Sequence, residues 1–441
     1  MNILAEELNK ALEGCVAGRL MSGMGKRIYF PKGIIAQSAE AKAAPEKPTQ
    51  ANATIGMAFG KGKPLSLSAT AECFKGLPVE KVIVYAATGG LPDVRDAWET
   101  AMLKKNPSLN EAVEKGEKNY IKPVVVPGIT AGLSYTADLF TDKGQPVIIS
   151  TPSWDNYPLI FAERREAELI EAPFFQGKAL NIDSIKTALE NSGKQKRILL
   201  NFPNNPSGYA PTNDEAEKLI NLIKESAEAG NDILVMVDDA YFGFFYEDDV
   251  YKESLFARLC NLHQNVLAVK LDGPTKEDYS WGLRQAFVTM GFKGMSESEN
   301  AALNSKMLGL IRSSVSCSNT PAQLALLKSF TKPETLVEKA AFFNTLKERY
   351  IIVRKFVTSN ICQALIPLPF NSGYFMSFLC RGFKAETLRK ELLSKYSIGV
   401  VALPGLNGKS YIRVAYSSLD AEQIPGVYRH IYDAALEIMQ G

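Results

Sequence analysis

Three stretches of the chain carry side chains able to do chemistry, and each follows a short apolar run. The first, Asn201-Phe-Pro-Asn-Asn-Pro-Ser-Gly208, closes the strand-like run RILLNF. Its prolines restrict the backbone, so an asparagine amide can be held in one place. The plainer reading is an ordinary Asn-Pro turn. The second is Asp238, at the end of the run ILVMV and followed by Asp239, Ala240 and Tyr241. A carboxylate at a partly buried strand tip needs a cation or hydrogen bonds. The plainer reading is a helix N-cap. The third is Lys276 in LDGPTKEDYSWGLR, just past VLAVKL, with Arg284 eight residues further on. A lone loop lysine is ordinarily solvated. Removed from water, or set beside a fixed cation, its pKa falls toward neutrality and it becomes an amine nucleophile.

The elements that position these groups can be read from the pattern around them. Short β-branched runs lie near 122–126, 146–150, 197–201, 233–238, 266–271 and 285–290. Helical stretches lie between them at 91–105, 130–140, 182–191, 214–229 and 253–261. Alternating β and α with continuous apolar strands predicts an α/β fold with a mostly parallel sheet covered on both faces. Such sheets bind ligands at the carboxyl ends of their strands, where the three stretches fall. After Lys306 the chain turns helical at 308–312, 321–330 and 334–358. Strands near 374–379 and 411–416 then alternate with helices at 384–395 and 421–439, as in a smaller α+β domain. Leu4, Leu8 and Leu12 mark an amphipathic helix near the start. Residues 36–54 are compatible with a helix ended by Pro45 or with a linker. The expected division is a large domain at 66–320. A small domain combines residues 1–65 with 321–441.

Composition narrows the function classes. At 441 residues with 46% hydrophobic and 22% charged, the chain is globular rather than disordered or coiled coil. Fifty basic against 48 acidic residues leave +2, which argues against an extended nucleic-acid groove or a polybasic membrane arm. Histidine occurs only at His263 and His430, so a zinc site or a histidine-based centre is not expected, and no metal is. Cys15, Cys73, Cys260, Cys317, Cys362 and Cys380 form no CxxC and read as reduced thiols. No signal peptide or membrane-length apolar run is visible, so a cytoplasmic location is expected.

Taken in order, the three stretches resemble the class I/II aminotransferases, enzymes of pyridoxal 5'-phosphate (PLP) fold type I, aspartate and aromatic aminotransferases among them. The resemblance spans about residues 80–420. It implies a large domain with a mostly parallel seven-stranded sheet and a smaller α+β domain. It also implies PLP as cofactor and a homodimer with shared active sites. On this likeness Lys276 bonds the cofactor, Asp238 meets its pyridine nitrogen, and Asn205 and Tyr241 meet its phenolic oxygen. Arg284 binds the phosphate, with the turn Gly128, Ile129 and Thr130 in VVPGITAGL cradling it through backbone N–H groups. Trp154 in TPSWDNY covers the ring. Tyr85 in YAATGGLPDVR reaches the phosphate of the neighbouring subunit. Arg413 in SYIRVAY binds the substrate α-carboxylate, which a guanidinium matches bidentately.

The pattern departs from the family in three places. Gly273 stands where the family has a phosphate-binding Ser, leaving Thr275 or a water to compensate. Ala286 stands where the family has Gly. The loop TKEDYSWG is acidic for a phosphate neighbourhood. The expected reaction is ping-pong transamination between an α-amino acid and a 2-oxo acid. Trp154, Asp238, Tyr241 and Lys276 do the catalytic work, and Arg413, Asn205 and Trp154 hold the substrate. Aspartate or an aromatic amino acid is the expected donor, with 2-oxoglutarate as acceptor. Arg19, Lys26, Arg27 and Lys32 are candidate second cations for a dicarboxylate; Tyr29, Phe30 and Phe59 could wall an aromatic side chain. The same scaffold also supports lyases, decarboxylases and racemases. A non-catalytic member would have lost Lys276 or Asp238. A regulator would carry a helix-turn-helix, which the first 60 residues lack.

Overall fold

The apolar runs become strands of one central sheet. In a computed structural model that describes residues 2–11, 23–27, 33–73 and 75–440, these are β1 (Val124–Val126), β2 (Pro146–Thr151), β3 (Glu168–Pro173), β4 (Gln195–Asn201), β5 (Asp232–Asp238), β6 (Val266–Asp272) and β7 (Ala286–Gly291). The spatial order is β1-β7-β6-β5-β4-β2-β3. Within this seven-stranded sheet only β7 runs antiparallel to its neighbours. Strand β3 is absent from the pattern read along the sequence. It is an edge strand carrying Glu168 and Glu171, and only Ala172 in it is buried.

Both faces of the sheet are covered, and the side chains divide by the two-residue period of a strand. Ile198, Leu200, Val235 and Val237 join one core, packed under the helices Ile182–Asn191 and Asn213–Glu228. Leu199, Leu234, Met236, Val269 and Leu271 join the other, under Ile129–Phe140 and Glu297–Ser314. A third core gathers residues from both ends of the chain. It combines Ala51, Ala53, Ala58 and Leu67 with Leu346, Phe378, Ile412, Tyr428 and their neighbours. Its sheet has the order β8 (Leu365–Pro367), β9 (Met376–Cys380), β11 (Ser410–Val414), β10 (Val401–Pro404). Ala51–Asn52 pairs in parallel with Ile398–Gly399, which ties the N-terminal segment to this unit. The segment 36–54 begins as a helix, Ile34–Ala43, that ends just before Pro45.

Register places the chemistry. Asp238 at the end of β5 sits beside Asn201 at the end of β4 and Leu271 near the end of β6. All three lie at the carboxyl edge of the sheet, from which the loops carrying Asn205, Tyr241 and Lys276 depart. No helix among the described residues is long and apolar enough to cross a membrane.

Candidate active site

A cavity of about 230 Å³ opens at that edge, lined by Ile129, Thr130, Trp154, Tyr157, Asn201, Asn205, Asp238, Ala240, Tyr241, Thr275, Lys276 and Arg284. Eight residues expected from the sequence therefore share one space. Gly128 adjoins it through Arg284, and Arg413 through Asn205.

Asp238 is buried and held on both oxygens. Tyr157 donates its hydroxyl to Oδ2 at 2.7 Å, and the Ala240 N–H donates to Oδ1 at 3.1 Å. Burial raises the Asp238 pKa; Tyr157, Ala240 and the Lys276 charge oppose the rise. The Asn201 side chain braces the corner. Its Nδ2 donates to the Asp238 carbonyl at 2.9 Å, and its Oδ1 accepts from the Asn205 N–H at 2.8 Å. Tyr157 and Asn201 were not singled out as site residues from the sequence. Tyr157 lies three residues past Trp154 in TPSWDNY, and Asn201 begins the Asn-Pro run; a buried Asp238 in need of donors was the available signal.

Lys276 is half-buried, and its Nζ lies 5.0 Å from the centroid of the Tyr241 ring. Burial depresses its pKa most. Asp238 pulls the value back up, Arg284 pushes it down again, and it settles at about 8. An amine in that range is available as a neutral nucleophile near physiological pH.

The anion-binding end is built from a helix start and a guanidinium. Gly128 precedes the helix Ile129–Phe140 with φ 95°, a conformation that favours glycine. A Cβ there would also lie 2.3 Å from Arg284 Nη2. The first-turn N–H groups of Ile129 and Thr130 have no acceptor within the helix. Arg284 has left-handed backbone (φ 51°) and donates to the Trp281 carbonyl at 3.1 Å.

The unusual glycine has a steric reason. A Cβ on Gly273 would lie 2.8 Å from Ala286 Cα and 3.1 Å from its Cβ. It would also lie 2.9 Å from the Gln285 carbonyl oxygen, so the close approach of the neighbouring backbone, more than the Ala286 methyl, requires glycine here. Thr275 lines the cavity, and its hydroxyl donates to the Gln285 carbonyl at 3.3 Å.

Arg413 is buried on β11. It donates to Asn205 Oδ1 and to the Thr54 carbonyl, both at 2.8 Å, and stacks 4.3 Å from the Phe375 ring centroid. Its Nε is buried with no protein partner, so a donor remains unsatisfied. With its oxygen committed to Arg413, Asn205 retains its NH2 as a donor.

The family model described as aminotransferase class I and II matches residues 84–431.

The chain belongs to the class I/II aminotransferases.

This aminotransferase resembles an aspartate aminotransferase of Bacillus sp., 24% identical over 347 residues, 76% of this chain and 79% of that one. It is also similar to a probable aspartate aminotransferase of Methanocaldococcus jannaschii, 23% identical and covering 79% of this chain and 85% of that one. Among solved structures, an aminotransferase from Anaerococcus prevotii aligns with TM-score 0.79 at 24% identity, over 93% of this chain and 98% of that one. That likeness establishes the fold as PLP-dependent fold type I. The family is in general PLP-dependent.

Not every candidate comes to the cavity of this aminotransferase. Tyr85 is 91% exposed and lines no part of it. Arg27 is engaged elsewhere, in an ion pair with Glu166 at 3.0 Å and a bond to the Glu163 carbonyl at 3.1 Å. Lys26 is exposed, and Phe59 sits in the small hairpin 59–64 and does not line the cavity. Arg19, Tyr29, Phe30 and Lys32 lie outside the described residues. The acidic side chains of the loop after Lys276 do not line the cavity. Glu277 and Asp278 turn away and pair with Lys105 and Lys339.

Proposed function

We propose that this aminotransferase uses PLP to move the amino group of an α-amino acid to a 2-oxo acid such as 2-oxoglutarate, in a ping-pong cycle. Aspartate or an aromatic amino acid is the donor. The observation that carries the reading is the cavity gathering Lys276, Asp238, Asn205, Tyr241 and Arg284.

The donor set fits such a group from end to end. The helix start at Gly128 and the Arg284 guanidinium suit a phosphate. The buried Asp238 carboxylate suits a protonated ring nitrogen, and the depressed amine of Lys276 suits an aldehyde. The orphaned Nε of Arg413 suits one more acceptor, a substrate carboxylate. When bound, the cofactor supplies an electron sink for the bonds at the substrate Cα.

The chain's own residues do the rest. Ile129 and Thr130 N–H groups, Arg284 and Thr275 hold the phosphate. Asp238, on which Tyr157 and Ala240 oppose the rise that burial causes, holds the pyridine N–H. Asn205 Nδ2 and the Tyr241 hydroxyl donate to the phenolic oxygen, and Trp154 covers the ring and shuts out water. Arg413 grips the α-carboxylate and so aims the Cα–H at Lys276 Nζ. Lys276 Nζ, the amine beside the substrate Cα, would take up the Cα proton and give it back as general acid.

The large domain is residues 66–320, and residues 1–65 and 321–441 form the small one. The working unit is a cytoplasmic homodimer in which Tyr85 serves the partner's site. The named aspartate aminotransferases among the relatives support the donor choice. The test is an amino-donor panel with 2-oxoglutarate, together with loss of the visible cofactor band on borohydride reduction. Preference for alanine or branched-chain donors refutes the donor assignment. Absence of the band in freshly purified, PLP-supplemented protein refutes the cofactor.

A further inference from the structure

Lys276 is followed directly by two acids, Glu277 and Asp278. That neighbourhood is adverse for a nucleophilic amine. A carboxylate that reached the ammonium would pair with it, keep it protonated and turn it away from the cavity. Both acids are instead drawn to the opposite side of the loop. Lys105, the last residue of the helix Pro92–Lys105, contacts both Glu277 oxygens, at 3.0 and 2.8 Å. Lys339, on the long helix Pro333–Ser359, lies 2.9 Å from Asp278 Oδ1 and 3.6 Å from Glu277 Oε1.

Asp278 is fully enclosed, and Glu277 and both lysines are largely so. Two cations and two anions therefore cancel inside the protein. Nearby Lys270 has its own pair, Asp239 and Asp272, and does not contact Glu277 or Asp278. Burial disfavours the Glu277 carboxylate, but Lys105 and Lys339 outweigh it and hold the pKa at about 2. Burial raises Asp278, with Lys339 opposing. The arrangement also has a mechanical side. The Tyr374 hydroxyl donates to the Lys276 carbonyl at 3.2 Å, so the backbone at 276–278 is held from two directions by residues of the C-terminal part of the chain.

We propose that Lys105 and Lys339 are positioning residues for Lys276: they sequester the adjacent Glu277 and Asp278, which leaves the Lys276 amine to face the cavity. Because Lys339 belongs to the helix Pro333–Ser359, the aim of Lys276 depends on how that helix packs. The inference rests on Lys276 being the reactive amine. The other groups facing Lys276 are Asp238, Arg284 and Tyr241, and none of them changes in the variants below.

The test needs no cofactor. Apo protein is labelled with trace acetic anhydride across a pH series, and acetylation at Lys276 is read by mass spectrometry against an internal amine standard. Wild type should show a labelling midpoint near 8. Lys339→Met, which leaves Asp278 uncompensated, should raise the midpoint by about half a unit or more. Lys339→Met/Asp278→Asn, which removes one charge of each sign, should return it to the wild-type value. A packing role alone predicts a double variant at least as disturbed as the single. If Lys339→Met does not fold, Lys105→Met and Lys105→Met/Glu277→Gln make the same comparison. An unmoved midpoint in the single variant, or a double shifted as far as the single, overturns the proposal. A wild-type midpoint at the ordinary lysine value would instead refute the reading of Lys276 as the reactive amine.

Discussion

Replacing Tyr157 by Phe isolates one hydrogen bond at the centre of the site. The phenol donates to Asp238 Oδ2 at 2.7 Å, and both side chains are buried. Phe keeps the ring and its packing, so the change is close to loss of the donor alone. A hydrogen bond to an ionised group contributes about 1.5–3 kcal/mol. Its loss should raise the Asp238 pKa further. Asp238 is already raised by burial, and Tyr157 heads the contributions that oppose the rise. The variant therefore holds more protonated Asp238 at neutral pH and grips a protonated pyridine nitrogen less well. The assay is absorbance titration of apo protein with PLP at several pH values. Affinity should fall about tenfold or more near neutrality. Raising the pH ionises the carboxylate, so the loss should shrink as the medium becomes more alkaline. Affinity within twofold of wild type, or a deficit that does not change with pH, would refute the assignment of Tyr157 as the group that keeps Asp238 charged.

Other expectations follow from the same geometry. Lys276→Ala should abolish transamination; turnover by that variant, without added amine, at the wild-type rate rules out the mechanism. Because only the neutral amine attacks, PLP attachment to apo protein should speed up as pH rises and level off above about 8, as rapid-mixing absorbance can follow. The same depressed pKa means that the folded chain binds fewer protons than the unfolded one between about 8 and the ordinary lysine value, so this group's contribution to stability increases as pH rises through that window. Arg413→Lys should lower kcat/KM for α-carboxylate substrates by about tenfold to a hundredfold, because an ammonium cannot reproduce the fork that meets Asn205 and Thr54 while presenting Nε; kinetics that leave kcat/KM intact would remove Arg413 from the substrate site. Gly273→Ser should destabilise the fold by about 1–3 kcal/mol in denaturant unfolding, and Gly273→Ser/Ala286→Gly should recover little of it, because the Ala286 Cα and Gln285 carbonyl contacts remain; a double variant as stable as wild type contradicts the backbone clash.

Much of the site was legible along the chain because its key residues lie just past strand ends. Asp238 closes β5, Lys276 follows β6 and Asn205 follows β4, and a run of buried Val, Ile and Leu announces each strand. Topology then does the assembly, since parallel strands deliver their carboxyl ends to one edge. Strand β3 escaped because an edge strand with Glu168 and Glu171 does not need the continuous apolar run that marks its neighbours. The doubt raised by the acidic loop after Lys276 was a fair reading of adjacent residues, and only the two lysines on distant helices remove it.

What the sequence by itself determined was the identity of the reactive groups and their order on the strands, because both are set by local pattern. Which donors those groups meet was decided by the tertiary structure. Tyr157 reaches Asp238 across 81 positions, and Arg413 reaches Asn205 across 208 and the Thr54 carbonyl across 359. Lys339 reaches Asp278 across 61. Charge and hydrogen bonding act through space within a few ångströms, while sequence pattern speaks only of neighbours along the chain. The pKa of Lys276 and the ionisation of Asp238 are therefore properties of the folded molecule, produced by burial and by partners that no local motif contains.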